Sequence, residues 1–206
     1  KSFNDVKLSN LMNSISNRGR DSKGTFKNTD IFLGHHRLSI IDTSDRSNQP
    51  MTMENYVIVF NGIIYNYKDI RKKLIAKGHI FKSTGDTEVV IKSYIEYGDK
   101  CVEYFDGVFS FCIYNLIKKN IFLARDRIGI KPLYYSVNDN ELVFSSSMKG
   151  ILSNKDNIEI NKIALHYQFT IHSVVPAPHT IIDGIKKLEP GHTLNVTKSG
   201  DIHLNK

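Results

Sequence analysis

Apolar residues recur at helical spacing at Leu8, Leu11, Met12 and Ile15 and predict a first helix over Asp5–Ile15, with Asp5 as its cap. A polar break follows at Arg18–Asp21 and Lys23–Gly24. Short apolar runs then read as strands at Ile31–Gly34, Leu38–Ile41 and Tyr56–Phe60. Ile70 and Leu74 mark the buried stripe of a second helix, Tyr67–Lys77, and a third runs from Thr87 to Tyr97. Gly78 and Gly98 follow directly, as left-handed caps do. From Val108 the period changes to two: Phe109, Phe111 and Ile113 alternate in a strand ending at Tyr114. Further strands are expected at Ile121–Ala124, Leu133–Val137 and Glu141–Ser145. A helix over Lys162–Phe169, a loop around Pro176 and Pro178, and a last hairpin within Gly191–Lys206 complete the pattern. Strand clusters separated by a pair of helices indicate a layered α+β domain.

Composition narrows the class. The chain has 206 residues, 40% hydrophobic and 10% aromatic, enough for one packed domain or one plus a short tail. No apolar run approaches the roughly 18 residues of a membrane span, and the start has no basic-then-apolar leader pattern. Two cysteines, Cys101 and Cys112, are too few for a disulfide framework and suit a reducing, cytoplasmic setting. The net charge of +7 invites a nucleic-acid reading. Its distribution argues otherwise, because Lys68, Lys72, Lys73 and Lys77 fall opposite Ile70 and Leu74, on the outside of the second helix. No nucleic-acid motif accompanies them, so neither nucleic acid nor membrane is expected as a partner.

The common cofactor and metal motifs are absent, and no metal site is expected. His35 and His36 are neighbours, so on a strand they point to opposite faces and cannot chelate one ion together. Chemistry-bearing residues sit instead at strand ends: Arg37, the pair Asn61-Gly62, Asp86, and Arg125-Asp126. Taken singly each has a plain reading. Asn-Gly is a frequent turn pair, and an aspartate at a helix start is a common cap.

Their order carries more. Arg18-Gly19-x-Asp21, Gly34-His35-x-Arg37-Leu38-Ser39-Ile40-Ile41-Asp42, Gln49-Pro50-Met51, Phe60-Asn61-Gly62-x-Ile64-Tyr65-Asn66-Tyr67, Gly85-Asp86-Thr87-Glu88, Asp106-Gly107-Val108-Phe109-Ser110-Phe111 and Arg125-Asp126-Arg127-x-Gly129-Ile130-Lys131-Pro132 follow one another along the chain. Pro176 to Thr180 and Lys187 to His192 extend the series. Together they resemble the glutaminase domain of asparagine synthetases, a class II glutamine amidotransferase with the N-terminal-nucleophile hydrolase fold, over nearly the whole chain. The resemblance implies a four-layer αββα sandwich, two antiparallel sheets between helix layers. It assigns residues 1–190 to the amidotransferase domain, and 191–206 to its last strands and the exit toward a C-terminal synthetase domain.

The same resemblance implies a mechanism. An N-terminal cysteine attacks the side-chain amide of L-glutamine, with its own α-amine, titrating near 7.7–8.0, as base. Asn61 (side-chain amide) and Gly62 (backbone N–H) become the oxyanion donors, Arg37 the clamp for the α-carboxylate, and Asp86 the acceptor for the ammonium. The backbone of Leu38, Ser39, Ile40 and Ile41 lines the same site. Two departures stand out. Ile63 occupies the place of a family glutamate that helps hold the ammonium, so weaker glutamine binding is expected. No cysteine opens the chain, and a helix pattern beginning at Asp5 leaves no room for the nucleophile's strand, so the first strand is expected to be missing and the chain inactive and unstable alone. Cys101 and Cys112 are expected as core residues, and Arg125–Asp126 as a buried ion pair. No cofactor is expected here. ATP and magnesium belong to the synthetase domain, whose Ser-Gly-Gly-x-Asp-Ser loop is not among these residues. The alternative is a nucleophile-less, β-lactam-synthetase-like domain with a structural role, which retention of Arg37, Asn61, Gly62 and Asp86 opposes. A homodimer is left open by the sequence.

Overall fold

The computed structural model describes residues 3–138, 141–153, 155 and 157–206. Helix α1 (Asp5–Ser14) is capped by Asn4 rather than Asp5, since the Asn4 side chain accepts from the Val6 and Lys7 N–H groups. A hairpin of β1 (Ser22–Lys27) and β2 (Phe32–Arg37) follows. Strands β3 (Met51–Met53) and β4 (Tyr56–Ile64) lead into α2 (Tyr67–Ala76) and α3 (Asp86–Tyr97). Then come β5 (Gly107–Asn115), β6 (Ile121–Arg125), β7 (Tyr134–Asn138), β8 (Glu141–Ser145), α4 (Met148–Leu152) and α5 (Lys162–Thr170). Short β9 (Lys186–Lys187), β10 (Thr193–Val196) and β11 (Ile202–Asn205) finish the chain. Among the described residues no helix is long and apolar enough to cross a membrane.

The alternation of β4 and β5 dictates the layering. Ile58, Phe60, Ile64, Phe109, Phe111 and Ile113 face one way and are covered by Ile70 and Leu74 of α2 and Val90 and Ile91 of α3. Val57, Val59, Cys112 and Tyr114 face the other way, toward Leu33, Leu133, Tyr135 and Leu188. These strands belong to a six-stranded antiparallel sheet of order β11-β10-β6-β5-β4-β3. The second β layer is built in two pieces, β1-β2 and β8-β7-β9. Outside it α1 packs on β2 and α4 on β7 and β8, and the two helices touch. The order is helix, sheet, sheet, helix: the four-layer αββα sandwich of an α+β domain.

Several local expectations change. Ser22–Lys27 is a strand inside the stretch that reads as a polar break. Its inward residues are Ser22, Gly24 and Phe26, and Gly24 is small because a Cβ there would stand 2.1 Å from the Gln49 carbonyl oxygen. In place of strands at Ile31–Gly34 and Leu38–Ile41, one strand runs through His35 and His36 and stops at Arg37, leaving Leu38–Ile41 as loop. Strand β4 does not break at Asn61-Gly62 but continues to Ile64, paired with β5 throughout. Arg125 and Asp126 form no ion pair with each other. Arg125 donates to the carbonyls of Lys131, Leu188 and Gly129, while buried Asp126 accepts from the N–H groups of Phe109, Ile128, Ile130 and Lys131. The pair braces the β6–β7 connection through backbone groups.

Candidate active site

Strand β3 pairs only as far as Met51 with Ile58, so among the described residues the edge of β4 beyond Ile58 has no partner strand. In an antiparallel ladder the backbone groups of alternate residues point to opposite edges. Phe60, Gly62 and Ile64 therefore turn their N–H groups to this free edge. The Phe60 N–H donates to Gln49 Oε1 at 2.6 Å, and the Ile64 N–H to Asp86 Oδ2 at 3.1 Å. Between these two capped groups the Gly62 N–H faces a cavity, which Gly62 lines. Glycine is required there, since a Cβ would lie 2.3 Å from the Val108 carbonyl oxygen. The Asn61 side chain lies on the inter-sheet face with Val57 and Val59, and its Nδ2 is buried with no hydrogen-bond partner among the described residues. A buried amide nitrogen without an acceptor costs about 1–3 kcal/mol. It thus marks a place where an acceptor from outside the described chain would be stabilised.

Arg37 ends β2 and is buried. Its Nη1 donates to the Ser44 carbonyl and to Asn48 Oδ1, both at 2.9 Å, and Nη2 donates to the Asp42 carbonyl. Three of its five N–H donors are thereby fixed, which orients the rest of the guanidinium at the cavity wall. The Asp42 carboxylate binds the Ser44 N–H through one oxygen, and the Thr84 N–H and hydroxyl through the other. Burial opposes its charge, but the hydrogen bonds from Ser44 and Thr84 outweigh burial and hold the carboxyl well below the ordinary range. Asp42 so ties the loop after β2 to the loop before α3.

Asp86 opens α3, with Gly85 as the cap. Burial raises its carboxyl above the ordinary 3.8, and hydrogen bonds from Ile64, its own N–H and that of Thr87 pull it back. Asp86 lines the cavity.

That cavity, of about 1270 Å³, runs between the sheets. Arg37, Leu38, Ile40, Ile41, Asn61, Gly62, Ile63 and Asp86 all border it, so eight of the nine residues named from sequence converge. Ser39 does not. Its N–H is bound to Asp21 Oδ2 at 2.6 Å, outside the cavity wall. Ile63 shares the inter-sheet face with Asn61. Of the six buried side-chain polar atoms without a partner among the described residues, five line this cavity, on His35, His36, Ser47, Asn61 and Tyr114. Sequence reasoning missed His35, Gln49 and Asp42 as site-builders. The signal was present in Gly34-His35-x-Arg37 and Gln49-Pro50-Met51, but no spacing rule says which strand a loop glutamine will reach. Cys101 and Cys112 are both buried, and burial pushes both thiols far up, which makes them poor nucleophiles. Among the described residues no group of three or more metal-ligating side chains is found.

The chain is similar to known proteins in sequence and in fold. The family described as "Glutamine amidotransferase domain" matches residues 2–205. Asparagine synthetase (glutamine-hydrolyzing) 1 of Bacillus subtilis is 39% identical over 96% of this chain and 31% of its own length. Asparagine synthetase (glutamine-hydrolyzing) 3 of the same organism is 33% identical over 94% of this chain and 32% of its own. The chain spans about a third of the length of these relatives. Among solved structures, glutamine phosphoribosylpyrophosphate amidotransferase from B. subtilis superimposes with a TM-score of 0.68. The superposition covers 98% of this chain and 46% of that one, at 16% identity, a likeness of fold. The chain belongs to the glutamine amidotransferase domain family.

Proposed function

We propose that this domain is the glutamine-hydrolysing half of an asparagine synthetase and passes ammonia to a C-terminal synthetase part. The observation that carries the reading is the pair of donors at the free edge of β4, the unpartnered Asn61 amide and the Gly62 N–H. They adjoin a cavity also bordered by the fixed guanidinium of Arg37 and the carboxylate of Asp86. A free amino acid with an amide side chain matches that set: Arg37 takes the α-carboxylate in fork geometry, Asp86 takes the ammonium, and the amide oxygen lies toward Asn61 and Gly62.

The inert Cys101 and Cys112 point to a nucleophile from a segment preceding Lys1. Among the described residues strands β2 and β8 each have one unpaired edge, and both border the cavity under α1 and α4. A strand entering between them would border the same cavity as Asn61. In the reaction its cysteine thiol gives its proton to the α-amine, and the sulfur adds to the amide carbon. Asn61 and Gly62 hold the oxyanion that forms. The carbon–nitrogen bond breaks as the nitrogen takes up that proton and leaves as ammonia, giving a thioester. Water then adds to the same carbon, the carbon–sulfur bond breaks, and the thiol recovers a proton as glutamate departs. ATP, magnesium and aspartate belong to the synthetase part. The 39% identity, over 96% of this chain, to a relative named as glutamine-hydrolyzing supports this reading over a nucleophile-less structural domain.

The test is glutamine-dependent ammonia release by the full-length protein. Asn61→Ala is expected to lower kcat by about 10²–10³. A glutamine analogue that alkylates the nucleophile is expected to label a cysteine upstream of Lys1. Ammonia release that survives Asn61→Ala, or label on Cys101 or Cys112, overturns the proposal.

A further inference from the structure

Phe60, the residue before Asn61, has both of its backbone polar groups taken by side chains from other parts of the fold. Its N–H donates to Gln49 Oε1 at 2.6 Å, and its carbonyl oxygen lies 3.2 Å from His35 Nε2. Gln49 donates in turn from Nε2 to Thr87 Oγ1 at 3.2 Å. Thr87 follows Asp86, whose carboxylate holds the Ile64 N–H. Two side chains thus stand where β3 has ended and a neighbouring strand would otherwise hold the edge of β4.

The geometry points to His35 and Gln49 as positioning residues for hydrolysis, which clamp the Phe60 backbone and so aim the Asn61 amide and the Gly62 N–H. The inference rests on the proposed oxyanion role of those two donors. An unpaired strand edge twists readily, and the two donors arise from consecutive residues of that edge, so any rotation about the 60–61 peptide moves both. Misplacement of reacting groups by about 1 Å can cost two orders of magnitude in rate. Each arm of the clamp is itself held. Gln49 is buried, and its carbonyl packs on the Cβ-less face of Gly24. His35 faces the inter-sheet layer, and its Nδ1 is buried with no partner among the described residues. Burial, with His36 and Arg37 nearby, pushes the ring down to about 4. The ring is thus neutral at neutral pH. The tautomer that leaves a lone pair rather than an N–H unpartnered at Nδ1 carries its proton on Nε2, where it is donated to the Phe60 carbonyl.

The test uses the full-length protein, with ammonia release counted per active site titrated by a diazo-ketone analogue of glutamine. His35→Leu and Gln49→Leu are each expected to lower kcat about ten- to a hundredfold, with KM for glutamine within about threefold of the parent. The γ-aldehyde analogue of glutamine, whose thiol adduct carries the tetrahedral oxygen, is expected to bind more weakly by the same factor. The double variant falls short of the product of the singles, because both act on one peptide. His35→Gln places an amide N–H where Nε2 stood and recovers kcat, whereas His35→Asn is too short to reach the carbonyl and does not; this polar pair gives the same contrast without an apolar substitution. Unchanged kcat per titrated site, a rise in KM alone, aldehyde binding that stays intact, or equal rates for the Gln and Asn variants overturns the clamp. If Asn61→Ala cripples hydrolysis while the His35 and Gln49 variants do not, only the clamp fails. If Asn61→Ala is silent, the oxyanion reading itself fails.

Discussion

The two faces of the six-stranded sheet are built for different ends. Against α2 and α3 the side chains close completely. Phe105, Phe109, Phe111, Phe122 and Tyr94 meet in stacked, tilted and edge-to-face pairs with centroids 5.0–6.3 Å apart. On the opposite face the layer is in two pieces and borders the large cavity, and most of the buried polar atoms without a partner among the described residues collect there. Unpaired polar atoms are costly, so a face that concentrates them around a void is spending stability on binding. One face holds the sheet in place and the other uses it.

The largest effect separating them is expected from Phe111→Ala. Phe111 is 2% exposed and touches three aromatic rings. Truncation should cost about 3–5 kcal/mol, read as a lower first thermal transition of the full-length protein, while any folded fraction hydrolyses glutamine normally. Asn61→Ala should do the reverse: the barrier rises by about 2.7–4 kcal/mol with the melting temperature unchanged or slightly raised, since an unsatisfied amide is removed. Equal losses of stability from the two would erase the contrast between the faces.

This division was partly legible in the sequence. The alternation of Phe109, Phe111 and Ile113 and the helical stripe of Ile70 and Leu74 place the closed face unaided, because apolar periodicity is what a packed interface imposes. The open face was less readable for the same reason. Strand β1 presents Ser22 and Gly24 inward, which no hydrophobic pattern marks, and Asn61-Gly62 sits within a strand although the pair usually signals a turn. Arg37, Asn61, Gly62 and Asp86 were found through the order of motifs. The reach of Gln49 to Phe60 and Thr87, and of Asp42 to Thr84, depends on how distant loops fold together, which local sequence does not encode. The expected Arg125–Asp126 ion pair failed because each side chain found several backbone partners instead.

Within the open face, Ile63 offers a gain of function. It lies two residues from Asn61 on the same side of β4 and borders the cavity. A carboxylate there would add a charged hydrogen bond to the substrate ammonium, worth about 1.5–3 kcal/mol. Ile63→Glu is therefore expected to lower KM for glutamine about ten- to a hundredfold with kcat little changed. An unaltered KM would mean that the ammonium lies elsewhere and that Asp86 is not its partner.

The smallest expected effect is a pH dependence, and its sign follows from Asp86. Burial raises this carboxyl above 3.8, so on acidification it takes up a proton earlier than an ordinary aspartate. The protonated form cannot pair with an ammonium, and KM for glutamine should rise as pH falls through that raised value, by at most about tenfold per pH unit for one group. Asp42, held well below the ordinary range by Ser44 and Thr84, stays ionised there and keeps the loops in place, so KM moves before the fold does. The stability term runs the other way. A carboxyl with a raised folded pKa costs stability above its unfolded value, and that cost is relieved at low pH. Asp86→Asn should accordingly raise KM at neutral pH, flatten its acid limb and leave the melting temperature unchanged or higher. A variant that keeps the parental acid limb would show that another group carries the titration.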